Sequence, residues 1–199
     1  MQGLQVDMAD PGSLDRFALQ VRERYPDLNV LVNNAGISRP EDLTVGELDL
    51  STTLAIIRTN IVGVLWLTAA LLPTLRHRQG ATIITTTSGL AFVPRANFPT
   101  YCASKAFLHS WLQSLRSQSR GTVEVLELPP PYVQTELAGP GQATDPAAMP
   151  LADYIAEAMR ALEAPNPPRG EILVERVMAL RSAEAKGVYD KTYAGLNGA

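Results

Sequence analysis

Short apolar runs alternate along this chain with longer segments of helical periodicity, and this alternation restricts the fold more than any other feature. The apolar runs are NVLVNNAG (29–36), ATIITTT (81–87), TVEVLELP (122–129) and EILV (171–174), and LQV (4–6) resembles the end of another strand. Helical patterns lie between them at 11–25, 50–75, 101–119 and 151–162. Strands separated by helices favour a parallel sheet covered by helices on both faces. We therefore predict an α/β fold with a doubly wound parallel sheet and ligands at the carboxyl ends of its strands.

Composition excludes several classes of function. The 199 residues, 46% of them hydrophobic, suit one globular domain with a sizeable core, and a net charge of −3 gives no electrostatic signature of nucleic-acid binding. The apolar run IVGVLWLTAALLP is short for a bilayer and ends in proline, so we expect no membrane partner. Without a visible signal peptide, and with Cys102 as the single cysteine, the sequence predicts a cytoplasmic protein. Two separated histidines make a metal site unexpected.

Tyr101 and Lys105 carry the most specific chemical signal. They lie in YCASKAFLHSWLQSLRS, a segment with helical periodicity, and a spacing of four places both side chains on one helix face. An ammonium group beside a phenol favours the phenolate, lowers its pKa and makes tyrosine a usable general acid or base. The same spacing also occurs where a lysine only covers a half-buried ring. Ser88, at the end of a β-branched run thirteen residues earlier, favours the catalytic interpretation.

Four motifs in order give the chain a family resemblance. NNAG at 33–36, Asn60 in TNIVG, Ser88, and Tyr101 with Lys105 follow the order and intervals typical of the short-chain dehydrogenase/reductases. The resemblance covers essentially the whole chain and implies a Rossmann-like fold. The chain also resembles the subgroup encoded with D-alanyl-lipoteichoic acid genes. That narrower resemblance is carried by Pro130, Pro131, Val133, Thr135, Leu137, Met149, Pro150, Leu151, Leu196 and Asn197.

The resemblance implies an oxidoreductase that transfers a hydride between NAD or NADP and a carbonyl or alcohol substrate. Tyr101 would exchange a proton with the substrate oxygen, and Ser88 would orient that oxygen. Lys105 would lower the Tyr101 pKa and hydrogen-bond the nicotinamide ribose. Asn60 would hold a water that relays protons. Asparagine is unfavourable inside a helix, which supports a role for Asn60, although its amide could equally be satisfied by helix packing.

The adenine end of the cofactor is assigned to the start of the chain. Asp7, with Met8 beside it, matches the acidic residue that contacts the adenine amino group in this family. Asp7 could instead belong to a helix amino terminus, where Asp10 and Ser13 compete for the cap position.

Two further segments match cofactor-binding positions of the family. Asn34, Ala35 and Gly36 would line the adenosine ribose, because small residues allow the backbone to approach closely. Pro130, Val133 and Thr135 follow the strand where the family closes over the nicotinamide. Here Pro130–Pro131 replaces the usual Pro-Gly, so the backbone at that point should differ from that of Pro-Gly members.

The glycine-rich phosphate-binding turn of the family does not precede NNAG in this sequence. We therefore expect residues 1–199 to be a single Rossmann domain without its first β-α-β unit, with lower stability and weak cofactor binding. The alternative to the enzyme is a non-catalytic remnant that acts as a binding or interaction module. The family resemblance further implies a homodimer or homotetramer formed through the helices that carry Asn60 and Tyr101.

Overall fold

A three-stranded parallel sheet lies at the centre of the structure, a computed structural model that describes residues 3–44, 50–164 and 167–198. Its strands are β1 (Val30–Asn33), β2 (Thr82–Thr86) and β3 (Glu124–Leu128), in the spatial order β1-β2-β3. The register places Leu31 opposite Ile83 and Ile83 opposite Val125. The predicted α/β fold with a Rossmann-like parallel sheet is confirmed.

Helices connect the strands in the predicted order. The helices are α1 (Pro11–Arg24), α2 (Ser51–Ile56), α3 (Gly63–Leu75), α4 (Pro99–Gln118), α5 (Leu151–Glu163), α6 (Met178–Arg181) and α7 (Tyr189–Asn197). A π-helical segment, Ile57–Val62, joins α2 to α3 without a break. Short 3₁₀ turns occur at Gly89–Ala91, Pro140–Thr144, Pro168–Gly170 and Glu175–Val177.

Helices pack on both faces of the sheet. On one face, α1, α3 and α4 form a buried apolar core with alternate strand residues; its members include Leu14, Leu71, Leu112, Leu31, Ile83 and Val125. A smaller cluster joins Ala158 of α5 to Val174, Val177 and Leu128. This second cluster covers part of the opposite face, which is the doubly wound arrangement predicted from the sequence.

Local sequence signals explain where the principal helices begin. Asp10 caps α1 by accepting hydrogen bonds from the main-chain N–H groups of Gly12 and Ser13, and Pro11 occupies the first helical position. Pro99 plays the same part at the start of α4. Asp10 is therefore the cap residue of α1, and Asp7 lies outside that helix.

The long helix predicted at 50–75 runs from Ser51 to Leu75 in the structure. Among the described residues it is the one helix long and apolar enough to cross a membrane, judged by length and composition. Core helices of water-soluble proteins pass the same test, and this helix buries Ile56, Val64, Leu71 and Leu75 inside the fold. The expectation of no membrane partner therefore stays a prediction.

Three predicted strands differ in the structure. LQV at 4–6 is not part of the sheet, since no described strand lies beside it, and Leu4 and Val6 instead pack on the core. EILV forms a single bridge, Glu171 to Glu127, in place of a full strand. In β1, Val30 and Val32 are 42% and 53% exposed although the pattern predicted a buried strand, because no described element covers that face.

Candidate active site

Two cavities meet at the carboxyl ends of the strands. The first, which we call the lysine cavity, has a volume of about 640 Å³ and is lined by Asn34, Ala35, Gly36, Thr86, Lys105, Val133 and Thr135 among others. The second, the arginine cavity, has a volume of about 700 Å³ and contains Arg95 and apolar side chains from several segments. Ser88 and Tyr101 line both cavities, so these two residues lie where the cavities join.

Ser88 and Tyr101 are neighbours that come from two different segments of the chain. Ser88 follows β2 and caps the 3₁₀ turn Gly89–Ala91, where its Oγ accepts a hydrogen bond from the Leu90 N–H at 3.1 Å. Tyr101 lies in the first turn of α4 and is 6% exposed, and Ser88 is close enough to its hydroxyl group to lower its pKa. Because α4 begins beside the end of β2, residues thirteen positions apart in sequence come into direct contact.

Burial has the largest effect on the pKa of Tyr101. Loss of hydration raises the pKa of Tyr101 to about 12, the side chain of Ser88 opposes that rise, and the nearby Cys102 adds to it. The sequence predicted the opposite direction, a pKa lowered by Lys105. That direction is wrong because burial is the largest effect on the pKa of Tyr101.

Lys105 is a buried ammonium group with incomplete hydrogen bonding. It is 4% exposed, and its Nζ donates to the main-chain oxygen of Thr86 at 2.9 Å, the one hydrogen bond found for it within the described residues. Burial lowers the pKa of Lys105 to about 8. An ammonium group has three donors, so two N–H groups at the wall of the lysine cavity remain for a ligand oxygen.

Asn60 is fully buried in the π-helical segment and holds the loop after β1. Its Oδ1 accepts from the Ile37 N–H at 2.9 Å, while its Nδ2 donates to the Ile37 oxygen at 2.9 Å and to the Ser104 Oγ at 3.1 Å. The amide donors are therefore used within the protein, as the packing alternative for Asn60 required. π-Helical segments are frequent at functional sites. The water-relay role of Asn60 stays a prediction.

Small residues after β1 form one wall of the lysine cavity. The Asn34 Oδ1 accepts a hydrogen bond from the Thr86 Oγ1 at 3.0 Å, which ties this loop to β2. A Cβ atom on Gly36 would lie 3.3 Å from the Asn60 Oδ1 and 3.6 Å from the Lys105 Nζ. Only glycine therefore leaves that space open beside the ammonium group.

The segment after β3 forms the opposite wall of the lysine cavity. Pro130, Val133 and Thr135, all predicted from the sequence, line it together. The buried Gln142 donates to the Val133 oxygen at 2.7 Å and to the Thr135 Oγ1 at 3.0 Å, and so fixes this wall to the loop that follows. Sequence reasoning missed Gln142 because nothing in its local pattern distinguishes it from other loop glutamines.

Asp7 and Met8 do not line either cavity. The Asp7 Oδ1 accepts from the Ala9 N–H at 2.9 Å, and the Ser13 Oγ accepts from the Asp7 N–H at 2.8 Å. Met8 lies against Gly63 at the start of α3. Their sequence-predicted contact with adenine stays a prediction, since the described cavity walls are formed by other residues.

A set of buried polar contacts was not predicted. Glu127 is fully buried, accepts a hydrogen bond from the Thr87 Oγ1 at 2.7 Å and lies 2.8 Å from the His109 Nδ1. Glu171 binds Arg181 through both carboxylate oxygens. The Glu127 carboxylate links the residue after β2 to α4 through Thr87 and His109. These contacts were missed because their residues come from four distant segments and meet only in the folded chain.

His109, Glu127 and Glu171 also lie close enough together to form a metal-binding set. Their ligand atoms are already paired with one another or with Arg181. A cation would have to displace these pairs, so we describe the group as two neighbouring hydrogen-bonded pairs.

The fold and the site together define the class of protein. A parallel α/β sheet with a cavity at the carboxyl ends of its strands is the arrangement in which such folds bind dinucleotides. A family model described as short chain dehydrogenase matches residues 1–145. The chain belongs to the short chain dehydrogenase family, whose members are NAD(P)-dependent dehydrogenases and reductases.

Relatives at the sequence level agree with this assignment. The chain is 36% identical over 197 residues to the uncharacterized oxidoreductase DltE of Bacillus subtilis, a match that spans 97% of this chain and 77% of that protein. This similarity confirms the resemblance to the subgroup encoded with D-alanyl-lipoteichoic acid genes. The NADP-dependent 3-hydroxy acid dehydrogenase of Schizosaccharomyces pombe is 26% identical over 136 residues, which cover 68% of this chain and about half (52%) of that protein.

The fold is also shared with solved structures. A short chain dehydrogenase from Burkholderia cenocepacia, in complex with NADP, superposes with a TM-score of 0.80 at 22% identity. The superposition covers 98% of this chain and 80% of the other. At this level of identity the similarity shows the fold alone, and it agrees with the parallel sheet described above.

Proposed function

We propose that this chain transfers a hydride between NAD or NADP and a carbonyl or alcohol substrate, with Tyr101 as general acid and base. The observation that carries the proposal is the position of Ser88 and Tyr101 at the junction of the two cavities. A proton donor at such a junction can reach a substrate oxygen in the arginine cavity while the reacting carbon faces the lysine cavity. A non-catalytic binding module is not favoured, because binding alone does not require Ser88 and Tyr101 at the junction of the two cavities.

The lysine cavity fits the nicotinamide end of the cofactor. Lys105 has unused donors suited to ribose hydroxyl groups, and Gly36 leaves space beside them. Pro130, Val133 and Thr135 would close over the nicotinamide, and Asn34, Ala35 and Gly36, in the lining of the same cavity, would line the adenosine ribose. When bound there, the cofactor supplies or accepts the hydride. Asp7 and Met8 are proposed to contact the adenine, as the family resemblance implies.

The side chains supply the proton chemistry. At neutral pH the Tyr101 phenol is protonated, since its pKa is raised to about 12, and it can donate to a carbonyl oxygen that is being reduced. Ser88 orients the same oxygen with its hydroxyl group. The Lys105 ammonium, with its pKa lowered to about 8, is a proton source near Tyr101, and we assign to Asn60 a water that links Lys105 to solvent.

Replacing Tyr101 with phenylalanine tests this proposal. Turnover of short-chain ketones with NADH or NADPH should fall by about 100-fold or more, because the proton donor is lost. Cofactor affinity, measured by fluorescence titration, should stay within about threefold, because the ring that packs in the cavity wall is kept. Tyr189→Phe, outside both cavities, serves as the control. Turnover by Tyr101→Phe close to that of the unmodified chain would refute the assigned role.

The remaining proposals concern assembly and location. We propose that the chain acts in the cytoplasm as a single domain over residues 1–199 and forms a homodimer or homotetramer. The helices that carry Asn60 and Tyr101 expose Leu54, Val62, Trp66 and Phe107, which supports an interface on those helices. The single cysteine, Cys102, is buried and unpaired, which suits a reducing compartment.

A further inference from the structure

We propose that the substrate of this site carries a carboxylate, and that Arg95, which lines the arginine cavity together with Tyr101, binds it. This inference rests on the proposed function and names a substrate class for it. The substrate would be an oxo or hydroxy acid with a short apolar body between its two functional groups.

The lining of the arginine cavity has the polarity that such a molecule requires. Ser88 and Tyr101 supply hydroxyl groups for the reacting oxygen. Much of the remaining wall is apolar and includes Leu90, Phe98, Leu137, Leu180 and Leu196. Pockets for small molecules combine an apolar wall with a few polar groups that fix orientation. The cavity volume of about 700 Å³ lies within the range of such pockets.

One positive charge in this lining has no partner. Within the described part of the lining, Arg95 and Asp145 are the charged residues. The Asp145 carboxylate accepts hydrogen bonds from the Tyr132 hydroxyl at 3.0 Å and from the Ala147 N–H at 2.8 Å. No described acidic group lies within ion-pair distance of the Arg95 guanidinium. The exposed Arg95 cation in this lining is therefore available to a ligand, and the Asp145 carboxylate already accepts two hydrogen bonds.

The backbone that carries Arg95 is fixed on both sides. The Arg95 N–H donates to the Cys102 Sγ at 3.3 Å, and the Arg95 oxygen accepts from the Phe98 N–H at 3.0 Å. Asn197 of α7 holds the flanking residues, accepting from the Ala96 N–H at 2.7 Å and donating to the Pro94 oxygen at 3.2 Å. These four hydrogen bonds fix the main chain of the loop that carries Arg95, and a fixed main chain reduces the ordering cost of ligand binding.

The charges of Arg95 and Asp145 favour a carboxylate over a phosphate as the ligand group. The planar guanidinium group matches the two oxygens of a carboxylate through parallel hydrogen bonds. A phosphate monoester would match the same fork but carries nearly twice the charge. The Asp145 carboxylate in the same lining repels that additional charge more strongly. A singly charged carboxylate satisfies Arg95 with less repulsion.

The inference can be tested by measuring how substrate-like acids bind to the chain alone, with no cofactor and no turnover. Dissociation constants for 5-oxohexanoate and its methyl ester would be measured by NMR titration of the chain near physiological ionic strength. The acid should bind about tenfold more tightly than the ester, as expected for a partly exposed charge-assisted pair. Arg95→Gln should reduce the preference to about twofold or less, and Arg95→Lys should restore part of it. Arg160→Gln, at an exposed position of α5 outside the cavity, should leave the preference unchanged.

The outcomes separate this inference from the proposed hydride transfer. An acid preference that depends on Arg95 supports the carboxylate site even if Tyr101→Phe contradicts the catalytic role. Equal binding of acid and ester, binding of neither, or an acid preference that persists in Arg95→Gln would overturn it. Tighter binding of 4-oxopentyl phosphate than of 5-oxohexanoate would overturn the choice of a carboxylate.

Discussion

Lys105 shows how one residue can serve the site at a cost to the fold. It is 4% exposed, has one hydrogen bond to the Thr86 oxygen, and its pKa is lowered by burial to about 8. Its ordinary pKa is 10.5, and the difference corresponds to roughly 3 kcal/mol against the charged form in the folded state. A charge in this position reduces stability at neutral pH, which is common for groups retained for function.

The pH dependence of stability should reveal this cost. The folded-state pKa of Lys105 lies below its unfolded value, so the penalty is fully present below about pH 8 and disappears as pH rises toward 10.5. Urea unfolding of the wild type and Lys105→Met should therefore show the wild type gaining roughly 3 kcal/mol relative to the variant between pH 7.5 and pH 10.5. The variant cancels contributions from other titrating groups. A constant difference across this range would show that Lys105 is not desolvated.

For single residues, the sequence predicted which side chains come together better than it predicted their burial and their contacts. Ser88, Tyr101 and Lys105 could be placed together because helix and strand periodicities fix their directions. The direction of the Tyr101 pKa could not be predicted, because it depends on burial by neighbours from several segments. Likewise, the Glu127–His109 contact depends on the packing of α4 against β3, which no local pattern encodes.

Among the elements, the π-helical segment Ile57–Val62 controls the geometry of the site. It presents Asn60 to the loop after β1 and leads directly into α3 at Gly63. A Cβ atom on Gly63 would lie 2.4 Å from the Met8 main-chain oxygen, a distance that no side chain can accommodate. The glycine is therefore required by the close approach of the chain near Met8, and not by its own helical conformation.

Two glycine substitutions separate this close packing from helix propensity. Gly63→Ala should destabilise the protein by about 1–3 kcal/mol, because the backbone at Met8 must move. Gly195→Ala in α7, where no atom lies within 4 Å of the added methyl group, should stabilise it by about 0.5–1 kcal/mol. Urea unfolding of both variants provides the measurement. Equal effects of the same sign would show that the Met8 contact is not a constraint.

The sequence predicted which helices exist more accurately than where each begins and ends, or which segments join the sheet. The helices predicted at 101–119 and 151–162 appear as Pro99–Gln118 and Leu151–Glu163. EILV and LQV have strand-like composition, yet neither becomes a full strand, because strand formation requires a hydrogen-bonded neighbour as well as suitable residues.

For the molecule as a whole, two exposed apolar surfaces compete as sites of association. One lies on the sheet at β1, where Val30 and Val32 are exposed. The other lies on α2, the π-helical segment, α3 and α4, where Leu54, Val62, Trp66 and Phe107 are exposed. The Trp66 Nε1 donates to the Asp15 Oδ1 at 2.7 Å, which orients the indole on α3 toward α1. Contiguous exposed apolar area of this kind marks interaction surfaces.

We expect the helical surface, and not the sheet, to form the specific oligomer. Phe107→Glu should convert the chain to a monomer in sedimentation velocity at micromolar concentration, because a charge in the centre of an apolar interface is left desolvated and unpaired. Val32→Lys should keep the oligomer and reduce only nonspecific aggregation, since a lysine on an edge strand discourages strand pairing. If Val32→Lys dissociates the oligomer and Phe107→Glu does not, the sheet is the interface. The helices that carry Asn60 and Tyr101 would then be free surfaces.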